Sequence, residues 1–401
     1  MTKREQQWSR RDFLKTAGAI GMGSIISPFA RPAHAGDEPN VVPRRPFGNT
    51  GVEVSILSFG GIMNIESKQR LLKQALNWGV TYWDTARIYS WGRSEKGIGK
   101  YLSKYPDDRK KIFLVTKSGA WTIKGMGNDL DASLERMQTD YIDLYFKHGI
   151  DSITDLNADH KKWAEKAKAA GKIRFFGFST HRNMEDCLLG AAKLGWIDGI
   201  MMSYNFRLMH SDRMKQAVDA CAGAGIGLTA MKAQGGGQVK TNTDTELRLA
   251  GRFLKKGFSD DQAKLKAIWE NPNIASICYR MPNITLLQSM VTAAVHKTAL
   301  SARDRELLQQ YARETRSDFC AGCADICESK FNGWVPVSDV MRYLMYARAY
   351  GDLERARTHF RQIPQRVRNR MAGLNYSEAE QSCPQRMQIG RLIKEAMVEL
   401  A

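Results

Sequence analysis

Short runs of β-branched and aromatic residues alternate along the chain with longer segments whose apolar positions recur every three or four residues. The runs are Val54–Phe59, Thr81–Thr85, Ile112–Thr116, Tyr141–Phe146, Ile173–Ser179, Gly199–Tyr204, Gly227–Met231 and Ala275–Tyr279. Strands spaced by helical segments predict a parallel sheet covered by helices, an α/β fold. Eight runs with seven helical segments between them predict a closed (β/α)8 TIM barrel. An open doubly wound sheet is the rival, but no G-x-G-x-x-G opens a helix after the first run.

Turn-forming residues from Arg44 to Glu53 predict a hairpin that plugs the barrel floor. Beyond the eighth run, a helix starting near Thr285 leads into a mostly helical tail holding four of the seven cysteines. The reading divides the chain into residues 1–35, a barrel over 36–298 and a helical C-terminal module over 299–401.

Residues 1–35 read as a removable signal. A basic start, Ser9-Arg10-Arg11-Asp12-Phe13-Leu14-Lys15, precedes a mildly apolar run to Ala30, and Ala33-His34-Ala35 offers a small-residue cleavage site. Paired arginines in that order resemble a twin-arginine export signal, which implies cleavage after Ala35, folded export by the twin-arginine machinery and a periplasmic protein. The apolar run is too short for a confident membrane span.

The 401 residues, 43% hydrophobic and 25% charged, exclude a disordered chain and suffice for a substantial core. A net charge of +18 raises acidic partners, anionic membranes and nucleic acid. Nucleic acid is set aside, because the arginines between Arg355 and Arg370 lack interleaved aromatics for base stacking. A docking face for an acidic redox partner stays open.

In such a barrel the loops after the strands converge on one mouth, so polar residues at strand ends carry information. Asp84 closes the second run, Tyr89 lies in the loop behind it, Lys117 follows the third and His148 the fourth. Their chemistry is coherent. A free phenol, with a pKa of about 10, exchanges protons poorly near neutrality unless a neighbour stabilises phenolate. Lys117 would do so, Asp84 would hold that ammonium, and His148 would orient a substrate carbonyl.

The sequence resembles the aldo-keto reductase family from about Pro43 to Ala294. The resemblance is carried by Phe47-Gly48-Asn49-Thr50-Gly51, Phe59-Gly60-Gly61, Asp84-Thr85-Ala86, Gly92-Arg93-Ser94-Glu95, Thr116-Lys117, Asp140-Tyr141-Ile142-Asp143-Leu144, Gly177-Phe178-Ser179 and Tyr204-Asn205. It implies a catalytic set of Asp84, Tyr89, Lys117 and His148 and NADPH-dependent carbonyl reduction by hydride transfer. Ser179, Thr180, Lys232 and Arg280 are the implied cofactor contacts, with Gly235-Gly236-Gly237 offering backbone amides to an anion. The chain departs from the family pattern at Thr180, Met201 and Met231, where Asn, Gln and an aromatic are usual, and after the eighth run, where Tyr279-Arg280-Met281-Pro282-Asn283 stands in place of a basic and amide-bearing motif.

In the tail, Cys320, Cys323 and Cys327 form C-x2-C-x3-C, and Cys383 precedes Pro384. This arrangement resembles ferredoxin ligation and the iron-sulfur extension of some aldo-keto reductases. It implies one [4Fe-4S] cluster, Tyr376 and Ala379 standing where a second cluster would need cysteines. Zinc, a disulfide, or cysteines without a role are the alternatives. Cys187, Cys221 and Cys278 read as ordinary core or near-core thiols.

The resulting expectation is a periplasmic oxidoreductase that reduces an aldehyde or ketone, or runs the reverse, with Tyr89 as acid-base residue. The alternative is an electron-transfer or binding protein on the same scaffold that has lost nicotinamide binding.

Overall fold

A computed structural model describes residues 41–237 and 243–401. The segment expected to be an export signal, residues 1–35, lies outside the described residues. The chain enters through an antiparallel hairpin of β1 (Arg44–Pro46) and β2 (Glu53–Ser55). Eight parallel strands then close on themselves: β3 (Leu57–Gly60), β4 (Tyr82–Asp84), β5 (Phe113–Ser118), β6 (Ile142–Ile150), β7 (Ile173–Thr180), β8 (Gly199–Ser203), β9 (Gly227–Met231) and β10 (Ile274–Tyr279). The first predicted run is thus two strands. Ile56 marks the corner, its amide donating to Pro43 O at 2.9 Å, so Val54 belongs to the hairpin and Leu57 to the barrel.

The hairpin closes the barrel floor through Phe47. This wholly buried ring meets Phe113 and Tyr82 at 5.4 and 6.3 Å between centroids. Two strand glycines make room for it: a Cβ on Gly227 would stand 2.4 Å from the Phe47 ring, and one on Gly199 2.8 Å. Above the plug, Val115, Leu144, Phe146 and Met201 fill the interior, which is therefore a packed core rather than a pore.

Outside, amphipathic helices lay their apolar stripes on the strands, as Gln69–Asn77 does with Leu71, Leu72, Ala75 and Leu76. After β9 come two helices, Asp244–Lys255 and Asp260–Trp269, each started by a reciprocal capping box, from Thr243 and Ser259.

Packing places the start of the tail later than residue 299. The helix Ala302–Glu314 buries Leu307, Leu308 and Tyr311 against Phe206, Leu249 and Phe253 of the barrel layer. A separate core begins at Cys327 and runs to Leu400, around Met341, Leu344, Phe360, Tyr376 and Ile393. This module is tied to the loop after β7. Asn183 N donates to Gly322 O at 2.8 Å, Asp325 N donates to Asn183 Oδ1 at 3.0 Å, and Arg182 pairs with Glu328.

Candidate active site

Asp84, Tyr89, Lys117 and His148 come together in the wall of a cavity of about 680 Å³ at the carboxyl ends of the strands. Lys117 Nζ is ion-paired with Asp84 and donates to Thr85 O at 2.7 Å; both side chains are almost wholly buried. The same ammonium lies 5.2 Å from the centre of the Tyr89 ring. The Tyr89 and His148 rings meet edge to face, with centroids 5.9 Å apart.

The loop carrying Tyr89 is braced by residues well away from the reacting groups. Ser94 Oγ bonds Thr85 Oγ1 and donates to Gly61 O, both at 2.6 Å. Glu95, fully buried, accepts from Thr116 Oγ1 at 2.7 Å and from Arg136 at 3.2 Å. Directly after Tyr89, Ser90, Trp91 and Gly92 all take positive φ, at 49°, 58° and 82°. Such a left-handed run is costly for non-glycine residues and persists only where the surroundings enforce it. Here the run lies between Thr85 and the braced Ser94 and Glu95, and Tyr89 before it lines the cavity.

The electrostatics correct one expectation. Burial pushes the Tyr89 phenol up to about 12, and Lys117 pulls it down by less than burial raises it. Lys117 therefore acts in the expected direction without acidifying the free phenol below its ordinary value. Burial also opposes the Lys117 charge, but Asp84 and Tyr89 outweigh it, so the ammonium is held more tightly than usual. Burial, then Lys117, lowers His148 to about 3, which leaves a neutral imidazole.

Of the four implied cofactor contacts, Ser179, Lys232 and Arg280 line this cavity. Ser179 Oγ also accepts from Gly149 N at 3.0 Å, fixing the backbone beside His148. Thr180 is turned away, its hydroxyl donating to Arg182 O at 2.8 Å. Lys232 Nζ is 2.7 Å from His181 Nδ1. The glycine run is covered by the tail, a Cβ on Gly237 standing 2.8 Å from Ala349 O. Met201 and Met231 add apolar surface to the lining and Arg280 a cation, while burial and the nearby Arg342 and Arg355 disfavour the charge on Lys232; Ser179 and Arg280 are the polar groups that fit a nicotinamide dinucleotide.

Other residues of the site were not singled out from the sequence. Cys278 packs against the barrel core, as expected of a near-core thiol, and also lines the cavity. His181, Tyr346, Tyr350 and Arg355 line it as well, the last three arriving from the tail. For Cys278 a signal existed, since it stands one residue from the end of a barrel strand.

A family model described as "Aldo/keto reductase family" matches residues 56–314. The chain belongs to the aldo/keto reductase family. It is 29% identical over 230 residues to an aldo-keto reductase of Fusarium vanettenii, 46% of this chain and 62% of that protein. With the L-galactose dehydrogenase of Arabidopsis thaliana it shares 23% over 295 residues, 66% of this chain and 92% of the relative. The holo form of an aldo-keto reductase from Bacillus halodurans superposes with a TM-score of 0.57 and 25% identity, covering 67% of this chain and 96% of that structure. This aldo/keto reductase thus carries a C-terminal segment beyond the matched region.

In that segment Cys320, Cys323, Cys327 and Cys383 line one small pocket whose other walls include Ile326, Val337, Met341 and Ile389. All four are free thiols in this structure. Among the described residues no group of three or more Cys, His, Asp or Glu side chains is placed to hold a metal ion. The four cysteine side chains share an otherwise largely apolar hollow. The arginine-rich stretch is largely engaged: Arg357 donates to Glu399 O at 3.1 Å, Arg368 to Ile363 O at 3.0 Å, and Arg370 lies 4.9 Å over Trp334.

Proposed function

We propose that this protein reduces an aldehyde or ketone, or oxidises the corresponding alcohol, with NADPH as hydride carrier and Tyr89 as acid-base residue. The observation that carries this reading is the convergence of Asp84, Tyr89, Lys117 and His148 on one cavity wall. A bound nicotinamide supplies or accepts the hydride, and Ser179 and Arg280 are the residues that would hold it.

The side chains do the rest. Neutral His148 donates an N–H to the substrate carbonyl oxygen and fixes its direction. Tyr89 is protonated at neutral pH, so the donor form is populated. As the carbonyl carbon accepts hydride, the phenol O–H bond breaks and its proton passes to the oxygen. Lys117 stabilises the phenolate left behind, and Asp84 keeps that ammonium charged and in place.

The four tail thiols would hold one [4Fe-4S] cluster, which would supply single-electron chemistry or brace the tail. Export through the twin-arginine machinery to the periplasm belongs to the same proposal, because folded export suits a chain loaded beforehand. An acidic redox partner would complete an electron path. The gathering of four cysteines in one pocket favours a second reading, an electron-transfer or binding protein that no longer takes nicotinamide. Anaerobically purified protein separates the two. NADPH consumption with an aldehyde panel supports the reductase. No nucleotide binding together with stoichiometric iron and sulfide and a bleachable visible band supports the carrier and overturns the reductase.

A further inference from the structure

Besides Lys117, four basic side chains line the catalytic cavity: Lys232, whose charge burial disfavours, and Arg280, Arg348 and Arg355. Three have partners. Lys232 meets His181, Arg280 lies 3.9 Å from Asp352, and Arg348 holds Glu395 and Glu399, each at 2.8 Å. Among the described residues no ion pair engages the Arg355 guanidinium, which lies 4.0 Å over the centre of the Tyr346 ring. Stacking fixes the plane of a guanidinium and leaves its fork of N–H donors free for an anion.

Its position is set by the tail. Arg355 sits in the first turn of the helix Leu353–Gln362, which buries Ala356 and Phe360 in the module core. From there it shares the cavity wall with Tyr89 and His148, between which a substrate carbonyl would lie. The carboxylates in the lining do not neutralise it. Asp84 belongs to Lys117, Asp352 lies beside Arg280 and accepts only the Arg355 backbone amide, and Asp261 has its own interactions.

We infer that Arg355, brought into the catalytic cavity by the C-terminal module, anchors an anionic group of the substrate, so the preferred aldehydes or ketones carry a carboxylate or phosphate. The inference rests on the reductase reading above. A charge-assisted pair of this kind is worth about 10-fold to 100-fold in kcat/KM.

The test compares 4-carboxybenzaldehyde with its methyl ester on the full chain, alongside calorimetric titration with 4-(hydroxymethyl)benzoate, which requires no turnover. The acid is preferred by about 10-fold or more, Arg355→Met removes that preference while sparing the ester, and Arg355→Lys keeps part of it. Binding of the hydroxymethylbenzoate weakens in step. Equal use of acid and ester by the unaltered protein overturns the inference. So does an Arg355→Met variant that raises only the KM for NADPH with the acid-to-ester ratio intact, which assigns the arginine to the dinucleotide phosphates. If neither aldehyde turns over but the carboxylate still binds through Arg355, the reductase reading falls and the anion site stands.

Discussion

Replacing Lys117 by Met keeps the length of the side chain and deletes its charge. Lys117 Nζ lies 5.2 Å from the Tyr89 ring centre. At an effective dielectric of about 20, opposite unit charges at that separation attract by about 3 kcal/mol. The phenolate left after proton transfer loses that stabilisation, so the chemical step slows by about a hundredfold. The variant also strands Asp84, a nearly wholly buried carboxylate, at a cost of about 3–5 kcal/mol of stability. Adding Asp84→Asn removes the stranded charge and restores most of the stability, but not the rate. Stopped-flow NADPH oxidation under single-turnover conditions reads the first effect, and urea denaturation the second. A folded Lys117→Met protein within threefold of the unaltered rate, or a double variant that regains the rate, refutes the role given to this cation.

Three further outcomes follow from the same structure. His148, held at about 3, stays neutral between about pH 5 and pH 8, so its ring signals do not titrate there. Its folded value lies below the unfolded one of about 6.5, so its stabilisation is full above that pH and fades as pH falls toward 3. His148→Gln should flatten this acid arm, and an unchanged arm counts against it. Gly227→Ala drives a methyl into the fully buried Phe47 ring and costs about 1–3 kcal/mol by denaturation; a neutral result contradicts the plugged floor. Burial holds Glu328 up to about 7 even beside Arg182, so its favourable contribution is present at low pH and lost as pH rises through that value. Arg182→Ala leaves that carboxylate without its cation, and hydrogen exchange in residues 320–345 should accelerate more at about pH 8 than at about pH 6; equal exchange at both argues against the clamp.

The sequence showed the barrel because each strand is a local run and each helix a local stripe. It showed Asp84, Lys117 and His148 because barrel geometry sends strand ends to one mouth. Three things were hidden for physical reasons. The split at Ile56 depends on a backbone bond to Pro43, which hydrophobicity does not encode. The helix Ala302–Glu314 reads as tail from its position, yet its apolar face is matched by Phe206 and Phe253, a tertiary choice. Arg355, Tyr346 and Tyr350 reach the cavity only because the module docks on the loop after β7, and an amphipathic helix carries no address for its partner. Thr180 had the right place in its strand and the wrong direction, its hydroxyl captured by Arg182 O.

The phenolic proton of Tyr89 is the centre of the account. A Tyr89→Phe protein, loaded with NADPH and mixed with aldehyde in a single-turnover experiment, tests it most directly. The expected result is nucleotide affinity within about twofold of the unaltered protein and hydride transfer slowed by about 100-fold to 10,000-fold, the usual range for a lost general acid. Hydride transfer at an unchanged rate would contradict it.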